Sequence, residues 1–215
     1  MENALCLLHP AYLGSIAQYV AIVRASEIIF EDCDNYQKQT YRNRTYIYGA
    51  NGKLLLTVPF LHSGEERRLY KEVRIQNDFN WQLQHRKSIE TAYRTSPFFE
   101  YYEDDFQILY AKKFTYLLDY NYQCFEVVKG CLQLEVPFSK TDTYQKEFYG
   151  GIDARNLIVA KKETIYHFTP YVQVFSEKHG FIPNLSIIDL LFNEGPNAIT
   201  YLQNQSLSKL DTSNV

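Results

Sequence analysis

Three short segments at the N-terminus constrain the fold more than anything after them. Ala4 to Leu8 is an apolar run stopped by His9-Pro10. After Gly14 comes SIAQYVAIVRAS, with Ile16, Val20 and Val23 at the spacing of one helical face. EIIF then reads as a second short apolar run, ending in Glu31-Asp32. Strand, helix and strand within about thirty residues make a βαβ unit, whose crossover helix returns the chain so that the two strands lie parallel. In such a sheet, ligands collect beyond the carboxyl ends of the strands. His9 and Asp32 stand at those two ends.

The next elements follow from local patterns. YRNRTYIYG and KLLLTVPF flank Ala50-Asn51-Gly52, a hairpin signal. KEVRI reads as a further short strand. Trp81, His85, Ile89 and Tyr93 recur at i+4, as one face of a helix does. Ser96-Pro97 breaks the chain and reads as the cap and first position of a second helix. That helix carries the stripe Phe98, Tyr102, Phe106 and Leu109. A third helix carries Leu118, Asn121, Phe125, Val128 and Leu132. From 139 to 163 periodicity is lost, and the segment reads as a mobile loop. YVQVF reads as a strand. In the closing segment NLSIIDLLFNEGPNA, Ser186 and Asp189 read as a capping box, while Gly195 and Pro196 end the helix. Residues 206–215 read as a frayed tail.

The expectation is one domain over residues 1–215, of α/β class. It has a short, mostly parallel sheet, a β-hairpin, a helical middle section and C-terminal helices. A hydrophobic fraction of 46% supports a real core, and a net charge of -3 supplies no global field for a nucleic-acid backbone. The four cysteines, Cys6, Cys33, Cys124 and Cys131, form no CxxC pair, which argues for reduced thiols and against zinc. No apolar run is long enough to span a membrane, so the chain is expected to be cytoplasmic. The 19 tyrosines and 14 phenylalanines give an aromatic-rich interior or aromatic pockets for sugars and bases.

Ordered motifs along most of the chain resemble the WbqC-like family of bacteria. They are HPAYLG after the first strand, FEDCD after the second, YRNRTYI and LLLTVPF in the hairpin, WQLQHRKSIETAYRTSPFF in the first long helix, and FIPNLSIIDLLFNEGPNA near the end. The chain departs from the family pattern where a Gln would follow the first His, where Pro-Trp would precede the glycine, and at a Tyr-Leu-Ser-Gly element before the last third. The resemblance implies an uncharacterised transferase of O-antigen-like surface-polysaccharide biosynthesis. It would transfer a small acyl or aminoacyl group, glycyl among them, to an activated sugar.

The residues themselves offer a candidate site. His9, at a strand end, is placed to hydrogen-bond a phosphate or to act as a general base. On one strand face, Arg42 and Arg44 would stand about 7 Å apart, a span suited to a diphosphate or two neighbouring anions. Asn43 would face the other way and hold the loop. His85, on a mostly apolar helical face, is the second candidate base, and Tyr12 and Tyr93 are candidate stacking surfaces for a sugar or base. Asp189 has a structural explanation as a cap, and Lys140 and Thr141 stand in the weakly patterned stretch. No metal set, cofactor fingerprint, Walker loop or Ser-His-Asp order is present. The partner expected is a small molecule, such as a nucleotide-activated sugar, with oligomeric state open. The rival function is a non-catalytic binding or scaffolding protein for a nucleotide sugar or partner enzyme. A nucleotidyl transferase is a third possibility that lacks a triphosphate cradle.

Overall fold

The computed structural model describes residues 4–62, 64, 67–161 and 164–207. In chain order it runs β1 (Leu5–Leu8), α1 (Ile16–Ile22), β2 (Glu27–Phe30), the hairpin strands β3 (Arg44–Gly49) and β4 (Gly52–Thr57), then α2 (Trp81–Tyr93), α3 (Phe99–Ala111) and α4 (Leu117–Cys131). It continues with β5 (Phe138–Lys140), β6 (Gly151–Asp153), α5 (Ser176–His179), α6 (Ile187–Glu194) and α7 (Ala198–Asn204).

β1, β2, β5 and β6 form one parallel sheet in the order β5-β2-β1-β6, and β3 and β4 form a separate antiparallel hairpin. The fold is therefore α/β with a parallel sheet, a hairpin, a helical middle and C-terminal helices. From β1 the chain winds outward through β2 to β5, then returns to the other side of β1 as β6. The connections thus diverge beside β1, the place where open α/β sheets hold their ligands.

β6 can lie against β1 because it starts with glycine: a Cβ on Gly151 would overlap the Leu5 carbonyl oxygen. α1 is buried at every position, with Ser15 accepting the Gln18 N–H at 3.4 Å as its cap. Trp81, His85, Ile89 and Tyr93 are all buried on α2, as are Tyr102, Phe106 and Leu109 on α3. The predicted stripe of α4 is buried too, including the polar Asn121.

Several local expectations are corrected. The stretch 139–163 supplies β5, β6 and a 3₁₀ turn at Arg155–Ile158. Strands this short have no periodicity to read; pairing with β2 and β1 makes them strands. Residues 162 and 163 lie outside the described residues. KEVRI is a 3₁₀ turn followed by isolated bridges, and YVQVF is not a strand. The second long helix starts at Phe99, without a side-chain cap, and Ser96 Oγ donates instead to the Tyr93 carbonyl at 2.6 Å. Ser186 caps nothing with its side chain; its hydroxyl donates to Leu13 O at 2.7 Å. Gly195 does end α6, at φ 54° and against the Phe98 ring. In the predicted tail, Leu207 is buried in the core, and 208–215 lie outside the described residues.

Candidate functional site

Because the four strands are parallel, their carboxyl ends gather at one edge. That edge receives His9 from β1, Glu31, Asp32 and Asp34 from β2, Lys140 and Thr141 from β5, and Asp153 and Arg155 from β6. The segment before the hairpin is tied across it. Tyr12 N–H donates to Tyr41 O at 2.9 Å, and Tyr41 N–H donates to Ile158 O at 2.8 Å. Asn121 Nδ2 donates to Arg42 O at 2.6 Å. These bonds deliver Arg42 to His9.

The two meet on one oxygen. His9 Nε2 lies 3.0 Å from Asp34 Oδ2, and Arg42 Nη2 donates to the same oxygen at 2.6 Å. Arg42 is fully buried. Burial alone would push the Asp34 carboxyl up, but the His9 hydrogen bond and the Arg42 charge outweigh it and hold the group below its usual range. Burial lowers His9 to about 4; the Asp34 hydrogen bond opposes this, and the Arg42 and Arg155 charges add to it. His9 is therefore neutral at physiological pH. Facing a carboxylate, Nε2 carries the proton, which leaves the lone pair on Nδ1. That nitrogen is buried with no partner among the described residues.

A second charge group stands beside the first. Glu31 is fully buried, and its Oε1 accepts Cys33 N–H at 2.8 Å and Thr141 Oγ at 2.9 Å. Its Oε2 faces Arg155 Nη1 at 3.6 Å. Arg155 also binds Asp153 at 2.6 Å and the carbonyls of Gln145 and Lys146 at 2.6 and 3.0 Å. It thereby pins the connection between β5 and β6 to the edge. Asp32 is engaged elsewhere: Tyr122 donates to it, and Lys140 Nζ lies 4.0 Å away.

The predicted residues separate. His9 and Arg42 reach the edge, while Arg44 opens β3; Arg42 precedes that strand rather than alternating within it, so the two arginines do not share a pleat. Asn43 Nδ2 donates to Val58 O at 3.0 Å and fixes the hairpin base. Tyr12, His85 and Tyr93 are core residues. Tyr12 is fully buried, with its hydroxyl 2.8 Å from His85 Nδ1 and its ring stacked on Tyr120. Burial lowers His85 to about 4, and its ring packs against Trp81. Tyr93 accepts Tyr48 N–H at 3.0 Å and donates to Asp189 Oδ1 at 2.8 Å. Asp189 also accepts from Tyr171 and Gln173, so it is the centre of a buried knot rather than a cap. Among the described residues, His85 shares no hydrogen-bond partner with His9.

Sequence reasoning missed Asp34, Glu31 and Arg155. FEDCD marked the right loop, but periodicity gives no reason to choose Asp34 over Asp32. Arg155 was invisible because β6 was.

A cavity of about 640 Å³ lies elsewhere, between α3, α4 and Pro196, and its polar lining includes Asp104, Asp105 and Glu126. No predicted residue lines it. The sheet edge is the better candidate because, among the described residues, it combines a strand-end imidazole with the buried guanidinium of Arg42. Among the described residues, no group of three or more His, Cys, Asp or Glu side chains could hold a metal, and no helix is long and apolar enough to cross a membrane.

A sequence model described as the WbqC-like protein family matches residues 9–162 and 153–201. The chain is also similar to "Uncharacterized protein Rv1507c" of Mycobacterium tuberculosis, at 24% identity over 208 residues, covering 85% of this chain and 90% of that protein. No solved structure matches it.

Proposed function

The chain belongs to the WbqC-like protein family, and on that premise we propose that it is a group-transfer enzyme of bacterial surface-polysaccharide assembly. It moves a small acyl or aminoacyl group, glycyl among them, onto an activated sugar held at the carboxyl edge of the parallel sheet. The observation that carries this reading is the His9–Asp34 pair, with Nε2 committed to the carboxylate and Nδ1 left bare.

In the transfer, His9 Nδ1 takes the proton of the attacking sugar hydroxyl or amine as its heavy atom bonds to the acyl carbon. Asp34 stabilises the imidazolium that forms, and the same proton leaves with the departing group. Arg42 and Arg44 hold the anionic part of the substrate. Burial does most to depress the His9 pKa, and the Arg42 and Arg155 charges add to it. An anion bound against them offsets that effect and raises the imidazole toward the range of a working base. Substrate binding and base strength are thereby coupled.

Ligand binding without catalysis is the second reading, and one observation favours it. His9 is 4% exposed, and the cavity beside it measures about 10 Å³, room for one water but not for a substrate. Transfer requires this edge to open.

The test is a thermal-shift screen against nucleotide sugars, acyl-CoA thioesters and amino acids, followed by mass spectrometry of mixtures of the hits. A ligand at 100 times its Kd adds about 2.7 kcal/mol of stability. An acylated sugar formed by the wild type and not by His9→Gln supports transfer. Unchanged turnover in His9→Gln removes the base. Tight binding with no product in any mixture leaves the binding reading in its place.

A further inference from the structure

We infer that Tyr36, Arg42, Arg44 and Arg68 form a phosphate subsite beside His9, built for the terminal phosphate of a phosphoester or diphosphate. This deepens the reading above and rests on it only for the position of the base.

The first observation is a set of buried donors with no acceptor among the described residues: Arg42 Nε and Nη1, Arg44 Nε and the Tyr36 hydroxyl. A fully buried guanidinium with two unpaired donor atoms is costly to keep, so such a group signals a partner that arrives with the ligand. The second observation is convergence. Burial raises the Tyr36 hydroxyl to about 12, and the charges that oppose this are Arg44, Arg42 and Arg68. The geometry agrees for two of them, since Arg42 and Arg68 lie over the two rings that flank Tyr36.

The third observation is rigidity. Tyr36 packs between Phe60 and Tyr70, with ring centres 4.9 and 6.4 Å away. The Arg42 guanidinium lies 5.3 Å over Tyr70, and that of Arg68 lies 5.8 Å over Phe60. Tyr36 N–H donates to Arg68 O at 2.8 Å, which ties the two segments together. Layered rings and guanidinium planes hold the donors in place before a ligand comes.

Charge and shape select the ligand. Among the described residues, Asp34 is the one carboxylate paired with any of these three arginines, so the cluster is rich in positive charge. A phosphate ester carries close to two negative charges at neutral pH and three acceptor oxygens in a tetrahedral array. A carboxylate offers one charge and two coplanar oxygens. Neither Tyr36 nor Arg68 emerged from sequence patterns, because they lie in separate loops.

The experiment is isothermal titration of the full chain with inorganic phosphate, pyrophosphate, a hexose 1-phosphate and a nucleoside diphosphate, with acetate at matched ionic strength as control. The expected result is saturable binding of the phosphates and none of acetate. The tightest of the four identifies the source of the phosphate group. Tyr36→Phe keeps the ring packing and removes only the hydroxyl; it weakens binding about tenfold. Arg68→Ala and Arg44→Gln weaken it further, with melting temperatures near that of the wild type. Absence of saturable phosphate binding overturns the inference, as does an affinity unchanged in both Tyr36→Phe and Arg68→Ala. Binding is read without a transfer assay. Intact phosphate binding with no transfer rejects the enzymatic reading alone, and transfer to an acceptor without phosphate, in a protein that binds none, rejects this inference alone.

Discussion

His9 Nε2 and Asp34 Oδ2 lie 3.0 Å apart, joining the end of β1 to the loop after β2. That bond settles the tautomer of the imidazole and leaves Nδ1 as its basic atom. Arg42 shares the same oxygen, so one carboxylate orients the candidate base and neutralises part of the anion-binding charge.

Asp34→Asn keeps the shape of that carboxylate and removes its charge. Arg42, fully buried, then loses its paired anion. The cost expected for breaking a buried pair is about 3 kcal/mol or more, read from urea unfolding at pH 7. A change near zero means that Arg42 is neutralised by something other than Asp34.

His9 and His85 are both lowered from 6.5 to about 4, chiefly by burial. Between those values the unfolded chain binds protons that the folded chain refuses. Stability is therefore complete above about pH 6.5 and falls as pH drops toward about 4. The slope is about 1.4 kcal/mol per pH unit for each histidine. Unfolding measured at pH 7.5, 6.0 and 5.0 checks the trend. His85→Gln should lower the slope in this window by about 1.4 kcal/mol per pH unit, whatever it does to stability at pH 7.5. An equal slope in wild type and variant removes His85 from the account.

Tyr93→Phe tests whether Tyr93 serves the core or a ligand. The substitution strips the Tyr48 N–H of its acceptor and Asp189 of a donor, both in buried surroundings. A loss of about 2 kcal/mol or more is expected, with phosphate affinity unchanged. Unaltered stability with weakened ligand binding would return Tyr93 to the site.

Arg155→Met removes the cation facing buried Glu31 and the donors that hold the Gln145 and Lys146 carbonyls. Stability should fall by about 3 kcal/mol. Trypsin should cut after Lys146 faster than in the wild type. Cleavage at the wild-type rate would show that the segment is held without Arg155.

The elements read correctly from sequence are those with a local pattern long enough to repeat. The β1-α1-β2 unit, the hairpin and the buried faces of α2, α3 and α4 all belong to this class. Gly195 belongs there too, because a left-handed residue is a local requirement. β5 and β6 have three residues each, too few for any period, and YVQVF has strand composition without a strand partner. Short strands are decided by the neighbour they pair with. Local rules offered no such neighbour for YVQVF and no hint of one for GGID.

The order of residues alone determined that a histidine would stand at a strand end and that two arginines would come near a hairpin, since side-chain periodicity and turn chemistry are properties of adjacent residues. Packing decided the rest. Tyr122 claims Asp32 and leaves Asp34 for His9, while an aromatic core encloses Tyr12, His85 and Tyr93. Which acid meets which base depends on contacts between residues 25 to 90 positions apart, and no pattern of neighbours along the chain encodes those.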